Sequence, residues 1–179
     1  MKLDTIINQP VIETARFILR PLRRSDMGLI DHYGSDERVA RMTTSIPHPL
    51  PPGATEAFVE RAMRDDRDED VWAIDGTIDG GPELKGLIGL EKLDRNQSEV
   101  GYWVAPPFWN TGLASDALQA LVEANPLGND TMFAAVFQDN PASARVLIHC
   151  GFEYLGDAES FSVARNMAVP TWTYSRNLR

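Results

Sequence analysis

The chain has 179 residues, a length that fits one domain able to bury a sizeable core. Hydrophobic residues make up 43% and charged residues 24%, so the composition indicates neither a disordered nor a fibrous protein. Lys and Arg number 17 and Asp and Glu 26, giving a net charge of −9. Because phosphate backbones repel an acidic surface, we expect no nucleic-acid partner.

The single cysteine, Cys150, excludes an intrachain disulfide and a cysteine metal cluster. The three histidines have no i, i+4 pair, so we expect no metal site. No apolar run approaches the length of a membrane span, and residues 1–10 lack the pattern of a secretory signal. We therefore expect a cytoplasmic protein with no membrane partner, present as a monomer or homodimer.

The first part of the chain predicts a strand, a helix and a long loop. Arg16–Leu22 alternates polar and apolar residues, which indicates a strand, and Ser25 and Asp26 offer helix N-caps soon after it. Residues 43–53 hold four prolines and a glycine, so they form a loop. The chain before this loop is too short for its own core, which favours a functional loop within one domain, residues 1–179. The helix predicted over residues 55–68 should end early, because its acidic end opposes the helix dipole.

The remaining elements predict an α+β fold. Three strands joined by short connections form an antiparallel meander, and one strand–helix–strand crossover follows. The result is a mixed, mostly antiparallel sheet flanked by helices. The predicted strands are 71–74, 85–93, 98–105, 131–137 and others beyond 152, and the predicted helices are 113–124 and 141–150.

The segment Val104–Ser115 follows a predicted strand and opens a predicted helix. The first amides of a helix lack partners within the helix and lie at its positive end, so a pyrophosphate can accept from several of them. Gly112 and the small Ala114 permit close approach, and Asn110 tolerates a left-handed conformation. An ordinary capped turn fits the same residues.

The second segment, Gln138–Phe152, follows another predicted strand. Asn140 suits an N-cap, Pro141 the first helical position and Gly151 the C-terminal cap. Ser143 lies one turn into this helix. Taken alone, the pattern is also that of a well-capped packing helix.

Together the two segments resemble the GNAT N-acetyltransferase superfamily, and within it the RimJ/RimL-like branch of ribosomal-protein alanine acetyltransferases. The resemblance covers nearly the whole chain, from TARFILRPLRRSD through EVGYWVAPPFWNTGLASDAL to VFQDNPASARVLIHCGFEYLG. The combination of W-x-x-G-x-A with N-x-x-S and a final G-F is more specific than either part. It implies a splayed sheet that holds acetyl-CoA, and acetyl transfer to a primary amine of a protein N-terminus or a small molecule.

The resemblance also implies roles for residues. The strand end at Trp103–Ala105 would pair with the pantetheine amides, the backbone of residues 109–114 would hold the pyrophosphate, and Ser143 would lie near the thioester sulfur. Leu147 stands where other members carry a general-acid tyrosine. The implied cofactor-binding residues are Trp103, Val104, Ala105, Trp109, Asn110, Thr111, Gly112, Leu113, Ala114, Asn140 and Ser143.

Glu99 is the first candidate for the general base that an acceptor amine, protonated at neutral pH, requires. It shares one strand face with Gly101 and Trp103, and a glutamate at a similar place serves as base in some superfamily members. The alternative is that Glu99 is an ordinary glutamate that faces solvent. Further candidate bases are Glu91, His32 and His48.

Ser143 is the second candidate catalytic residue, because its hydroxyl can donate to the departing thiolate or orient a water. The amide of Val104 or Ala105 is a candidate for polarising the thioester carbonyl. Cys150 is badly placed for a covalent intermediate, so we expect direct attack. The acceptor would enter over the loop 43–53. The aromatic residues that could line the site are Trp72, Phe108, Trp109 and Trp172.

Two other functions fit parts of the sequence. A non-catalytic acyl-CoA sensor would keep the segment around Gly112 and need no base. A packing domain without a ligand would use both segments as helix caps. Acetyl transfer requires two partners, acetyl-CoA as cosubstrate and an amine acceptor. We expect it to need no metal.

Overall fold

A mixed eight-stranded sheet runs through the computed structural model, which describes residues 8–179. The spatial order is β1-β2-β3-β4-β5-β6-β8-β7, and among these described strands only the β5–β6 pair is parallel. This confirms the predicted mixed, mostly antiparallel sheet. The strands are β1 (Ile12–Glu13), β2 (Ile18–Pro21), β3 (Glu69–Asp75), β4 (Gly86–Leu93), β5 (Gln97–Val104), β6 (Thr131–Phe137), β7 (Glu153–Ser162) and β8 (Met167–Asn177).

Helices cover both faces of the sheet. On one face, buried apolar residues of α4 and α5 pack against β5 and β6. On the other face, α1 and α3 pack against β3 and β4. Within residues 8–179 no helix combines the length and apolar character that crossing a bilayer requires. The helices are α1 (Met27–Gly34), α2 (Glu37–Ala40), α3 (Ala54–Ala62), α4 (Leu113–Ala124) and α5 (Pro141–His149).

The sheet is splayed between β5 and β6. These strands pair only over Gln97–Glu99 and Thr131–Phe133. Beyond that point β5 stays paired with β4 as far as Val104, and β6 stays paired with β8 as far as Phe137. Since each strand follows its other neighbour, the two diverge and leave an opening between them, as the family resemblance implied.

Alternation along β5 divides its side chains between the two faces. Val100 and Tyr102 pack with the residues of α4 and α5, whereas Trp103 packs with those of α1 and α3. Glu99 and Gly101 therefore share the face of Trp103, as the sequence predicted. This face is the one from which the loop 43–53 approaches the opening.

A buried arginine ties β2 to β3 and to the segment before α1. The guanidinium of Arg20 donates to Asp75 Oδ2 at 2.7 Å and to Asp26 Oδ1 at 2.7 Å. Asp26 was expected to cap the following helix, but its side chain makes no capping bond to α1. Asp26 does stand at the N-cap position, but its side chain is buried and serves as an ion-pair partner of Arg20 instead of a cap.

Candidate active site

A cavity of about 1050 Å³ fills the opening between β5 and β6. One end is formed by residues 109–115, which join β5 to α4, and by the start of α5. Three glutamates lie at the other end, where β5 still pairs with β6, and residues of the loop 43–53 also line the cavity. This volume lies at the upper end of the range for small-molecule and cofactor sites.

The turn before α4, residues 109–114, has the backbone that the sequence predicted for an anion site, and we call it the phosphate loop. Asn110 and Gly112 both adopt left-handed conformations, with φ of 61° and 79°. The first helical bond of α4 runs from the Asp116 amide to the Gly112 carbonyl, at 3.0 Å. The amides of Leu113 and Ala114 lie ahead of this bond, so they have no helical carbonyl to donate to and are available to an anion.

Two contacts hold the phosphate loop in place. The Thr111 hydroxyl donates to the Phe108 carbonyl at 2.6 Å. Arg16 of the β1–β2 turn donates to the Thr111 carbonyl at 3.3 Å and pairs with Asp116 in the first turn of α4. Because Arg16 neutralises this carboxylate, Asp116 opposes an incoming anion less than it would alone.

The end of β5 presents only part of its backbone to the opening. The Ala105 amide donates to the Lys85 carbonyl at 2.8 Å, on the side of β4. In an antiparallel pair successive residues point their backbone groups to opposite sides, so Trp103 also faces β4, whereas Tyr102 and Val104 face the opening. Of the two amides considered for polarising a carbonyl, that of Val104 is therefore the one available.

Trp109 braces the phosphate loop against the strand end. Its indole N–H donates to the Val104 carbonyl at 2.6 Å, and the Arg38 guanidinium lies 5.6 Å from the ring centroid. A carbonyl oxygen has two lone pairs, so Val104 keeps the capacity to accept from a ligand as well. The side chain of Trp109 thus supports the loop, and the residue also lines the cavity.

Asn140 and Ser143 both line the cavity at the start of α5. Asn140 stands at the N-cap position, as predicted, but its side chain makes no capping bond. Its backbone carbonyl instead accepts from the Ser143 amide at 3.2 Å. The Asn140 amide group is therefore not engaged in capping and can serve a ligand in the cavity.

Tyr102 is a polar residue of the site that sequence reasoning missed. Its hydroxyl lies 2.9 Å from Ser143 Oγ and 3.2 Å from the Ser143 carbonyl oxygen. Burial raises the pKa of Tyr102 above its ordinary value, and the bond with Ser143 offsets only part of this rise. Strand alternation places Tyr102 on the helix face, but no local pattern indicates its partner on α5.

Three glutamates from three adjacent strands form a row on the opposite face, and we call Glu69, Glu91 and Glu99 the carboxylate row. Glu69 of β3 pairs in register with Glu91 of β4, which pairs with Glu99 of β5. Directly opposed residues have Cβ atoms about 4.5–5.5 Å apart, close enough for their charges to interact. All three side chains line the cavity.

The electrostatics of the site raise the pKa of two of these glutamates, Glu99 and Glu69. Partial burial, followed by the charge of Glu91, raises the pKa of Glu99 above its ordinary value. The same two causes raise the pKa of Glu69, although nearby Arg61 acts in the opposite direction. A glutamate with a raised pKa in a cavity is a better proton acceptor at neutral pH than an ordinary surface carboxylate.

Two glycines leave room beside the carboxylate row. A Cβ at Gly89 would lie 2.6 Å from Glu69 Oε1, so Gly89 allows Glu69 to lie over β4. A Cβ at Gly101 would meet nothing within 4 Å. Since Gly101 follows Glu99 on the same face, the open space beside it is where a molecule that gives a proton to Glu99 can enter.

The other predicted candidates divide between cavity and core. Phe108, Trp109 and Glu91 line the cavity. Trp72 does not, because it is fully buried in the core and donates its indole N–H to the Pro10 carbonyl at 2.8 Å. His32, His48 and Trp172 are not among the described residues that line the cavity. Within residues 8–179 no three His, Cys, Asp or Glu side chains form a group able to hold a metal ion.

Cys150 lies at the far end of α5, under the start of α4. Its thiol is buried and contacts the Ser115 carbonyl at 3.4 Å. Burial raises the pKa of this thiol, which disfavours the nucleophilic thiolate. The thiol is not part of the cavity wall. This position agrees with a structural thiol.

The β7–β8 hairpin closes the cavity beside the loop 43–53. Near its tip, Arg165 donates to both Asp139 carboxylate oxygens, at 2.5 and 3.0 Å, and to the Arg41 carbonyl at 2.9 Å. The Val163 amide donates to the Thr44 carbonyl at 3.1 Å. These bonds join the hairpin to the loop and to the turn that precedes α5.

The sequence and fold are those of known acetyltransferases. Residues 16–153 match the acetyltransferase (GNAT) domain family. YoaA of Bacillus subtilis (strain 168), an uncharacterized N-acetyltransferase, is 30% identical over 175 residues, which cover 93% of this chain and 96% of YoaA.

Solved structures share the fold at lower identity. An acetyltransferase of the GNAT family from Bacillus anthracis has a TM-score of 0.80 at 21% identity, covering 94% of this chain and 99% of its own. RimL, a ribosomal L7/L12 alpha-N-protein acetyltransferase in complex with coenzyme A, has a TM-score of 0.78 at 17% identity. The match covers 94% of this chain and 98% of the RimL chain.

The chain belongs to the GNAT acetyltransferase family, as the resemblance of its two segments predicted. Its eight-stranded mixed sheet, flanked by helices, is the GNAT fold. RimL is among the similar structures, but an identity of 17% shows the fold alone. These relatives establish an acyltransferase family and CoA use within it, and they do not establish the RimJ/RimL-like branch.

Proposed function

We propose that this chain, as one acetyltransferase domain, transfers the acetyl group of acetyl-CoA to a primary amine by direct attack on the thioester. The observation that carries the proposal is one continuous cavity with the phosphate loop at one end and the carboxylate row at the other. One end suits an anionic cofactor, and the other suits an amine that must lose a proton. Family membership supports this division.

The cofactor end is assigned to residues of the phosphate loop, β5 and α5. The backbone of Trp109, Asn110, Thr111, Gly112, Leu113 and Ala114 would hold the pyrophosphate. Of the strand end Trp103–Ala105, Val104 would accept a hydrogen bond from the pantetheine arm through its backbone carbonyl, because its backbone groups face the opening. Asn140 would bind the arm from the other side, and Ser143 would lie near the sulfur.

The acceptor end is assigned to Glu99. The amine would enter beside Gly101 and lose its proton to Glu99, directly or through a water. Its nitrogen then forms a bond to the thioester carbon and gives up a second proton to water, and the carbon–sulfur bond breaks to release a thiolate. The Val104 amide faces the same opening and would stabilise the negative charge on the carbonyl oxygen.

Replacement of Gly112 by alanine is expected to weaken acetyl-CoA binding about tenfold or more. Gly112 has a φ of 79°, and a Cβ there would strain the loop and obstruct the approach of phosphate to its amides. Loss of one hydrogen bond to a charged group costs about 1.5–3 kcal/mol, and 1.4 kcal/mol is about tenfold in affinity. Isothermal titration with acetyl-CoA measures the change.

Gly128→Ala is the matched control for this change. Gly128 also has a positive φ, of 61°, also has nothing within 4 Å of its Cβ position, and lies outside the cavity wall. It carries the same kind of backbone strain without the ligand contact. Equal losses of affinity in both variants would show that strain, and not contact with the cofactor, is responsible.

Replacement of Glu91 by glutamine is expected to shift the acidic limb of the profile of kcat/KM against pH to lower pH. Glu91 raises the pKa of Glu99 through its charge, so removing that charge lowers the pKa of the proposed base. The deprotonated, active form then persists to lower pH. The comparison uses one acceptor for both enzymes, so that the ionisation of the amine cancels. A shift of the acidic limb to higher pH contradicts the assignment of Glu99 as the general base.

The proposed activity is tested by thiol release from acetyl-CoA with a panel of primary amines that includes N-terminal peptides, polyamines and aminoglycosides. Release with one acceptor class, together with an acetylated product in the mass spectrum, supports the enzyme and names its substrate. N-terminal peptides beginning with alanine test the RimJ/RimL-like branch. Binding of acetyl-CoA with no release from any acceptor is the result that a non-catalytic acyl-CoA sensor predicts.

A further inference from the structure

The Tyr102–Ser143 pair joins the two sides of the opening. Tyr102 lies on β5 beyond the last residue that pairs with β6, and Ser143 lies on α5, which begins just after β6. Their hydroxyl oxygens are 2.9 Å apart, and both residues line the cavity. Ser143 is therefore held from the strand side, at the end of the cavity where the thioester sulfur is proposed to lie.

The two hydroxyls have only two hydrogens between them, and this limits the arrangements. If the phenol donates to Ser143 Oγ, the serine hydrogen is released and can point into the cavity. If the phenol donates to the Ser143 carbonyl, at 3.2 Å, the serine hydroxyl donates back to the phenol and is consumed. An acceptor such as a departing sulfur favours the first arrangement, because it gives the free serine hydrogen a partner.

The pair suits stabilisation of charge better than delivery of a proton. Burial raises the pKa of Tyr102, so the phenol keeps its proton at neutral pH. A phenol that remains protonated can continue to donate to Ser143 while the sulfur gains charge. Leu147, one turn further along α5, is apolar and fully buried, so it supplies no donor.

We propose that Tyr102 is a positioning residue for acetyl transfer, which orients the Ser143 hydroxyl so that it donates a hydrogen bond to the departing thiolate. The inference rests on the proposed function. In this step the nitrogen–carbon bond forms and the carbon–sulfur bond breaks. The protonated amine first passes one proton to Glu99, and its nitrogen gives up a second proton to water as the amide forms. The electron pair of the broken bond stays on sulfur, and solvent later protonates the thiolate.

The proposal predicts a loss in kcat that depends on Ser143. Tyr102→Phe removes only the hydroxyl and is expected to lower kcat about tenfold or more, while the KM for the acceptor and the Kd for acetyl-CoA change less than about twofold. Ser143→Ala is expected to lower kcat at least as much. The double variant is expected to be no slower than Ser143→Ala alone, because Tyr102 acts only through that hydroxyl.

Tyr154→Phe is the matched control. The Tyr154 hydroxyl bonds to Asp157 on the exposed hairpin, outside the cavity wall, so its removal is expected to leave kcat unchanged. Thermal unfolding of each variant shows whether it folds. If Tyr102→Phe does not fold, Ser143→Ala still tests the Ser143 hydroxyl as the donor to the thiolate.

Three results would overturn the inference. These are full activity of Tyr102→Phe, a loss confined to KM or Kd, and losses in the two single variants that multiply in the double variant. Failure of the proposed function gives a different result, because the wild-type protein would then release no thiol with any amine.

Discussion

Glu99→Gln is expected to lower kcat/KM for the acceptor by about 10²- to 10⁴-fold, the range that removal of a general base produces. The amide has nearly the shape of the carboxylate but cannot accept the amine proton at neutral pH. Glu99 lies at the acceptor end of the cavity, so the Kd for acetyl-CoA is expected to stay at the wild-type value. Thiol-release kinetics and calorimetric titration measure the two quantities separately.

Glu153→Gln is the control for this experiment, because Glu153 is exposed at the start of β7 and does not line the cavity. Its kcat/KM is expected to match the wild type. If Glu99→Gln retains full activity while Glu91→Gln loses it, the base lies on β4 and the assignment to Glu99 is wrong.

Arg20→Met is expected to lower the free energy of unfolding by about 3–5 kcal/mol, the range for removing one partner of a buried ion pair. The guanidinium of Arg20 contacts Asp26 and Asp75, and the side chains of all three residues are largely buried. Methionine fills much of the same space but leaves two carboxylates in the protein interior without their cation. Urea unfolding followed by circular dichroism measures the loss.

The pH dependence of this loss has a definite sign. Although burial opposes its charge, hydrogen bonds from Arg20 and Thr77 lower the pKa of Asp75 below its ordinary value. This contribution to stability is present above the ordinary pKa of aspartate and disappears as the pH falls through the lowered value. In Arg20→Met the unpaired carboxylate can instead be relieved by protonation, so the difference in stability between the two proteins is expected to shrink at acid pH.

Arg64→Met provides the comparison, because the Arg64–Asp66 pair has similar hydrogen bonds but is exposed to solvent. Exposed pairs contribute little, so the unfolding transition is expected to stay where it is in the wild type. A loss in Arg20→Met no larger than that in Arg64→Met would contradict the structural role assigned to the buried network.

Local patterns were sufficient to predict the elements that hold the cofactor end. The apolar face of the helix after Gly112 predicted α4, and the strand predicted before Gln138 is β6; both have the bounds that the structure has. Asn110 was expected to tolerate a left-handed conformation and adopts it, and Gly112, expected to permit close approach, adopts it as well. These features depend on neighbouring residues, whose propensities and capping preferences can be read along a single segment.

Contacts between distant segments could not be predicted in the same way. Glu69 joins the carboxylate row only because β3 pairs with β4 in one register, and sequence alternation does not fix that register. Tyr102 and Ser143 are 41 residues apart and meet only when α5 packs on the sheet. Asp26 had the local pattern of a cap, but the buried charge of Arg20 competes more strongly for its carboxylate.

Isothermal titration of the wild-type protein with acetyl-CoA, followed by thiol release on addition of amines, tests the central claim most directly. The account predicts binding in the micromolar range, and thiol release that depends on both an amine acceptor and Glu99. The absence of binding at millimolar acetyl-CoA would contradict the assignment of the cavity between β5 and β6 as a cofactor site, and with it the proposed acetyl transfer.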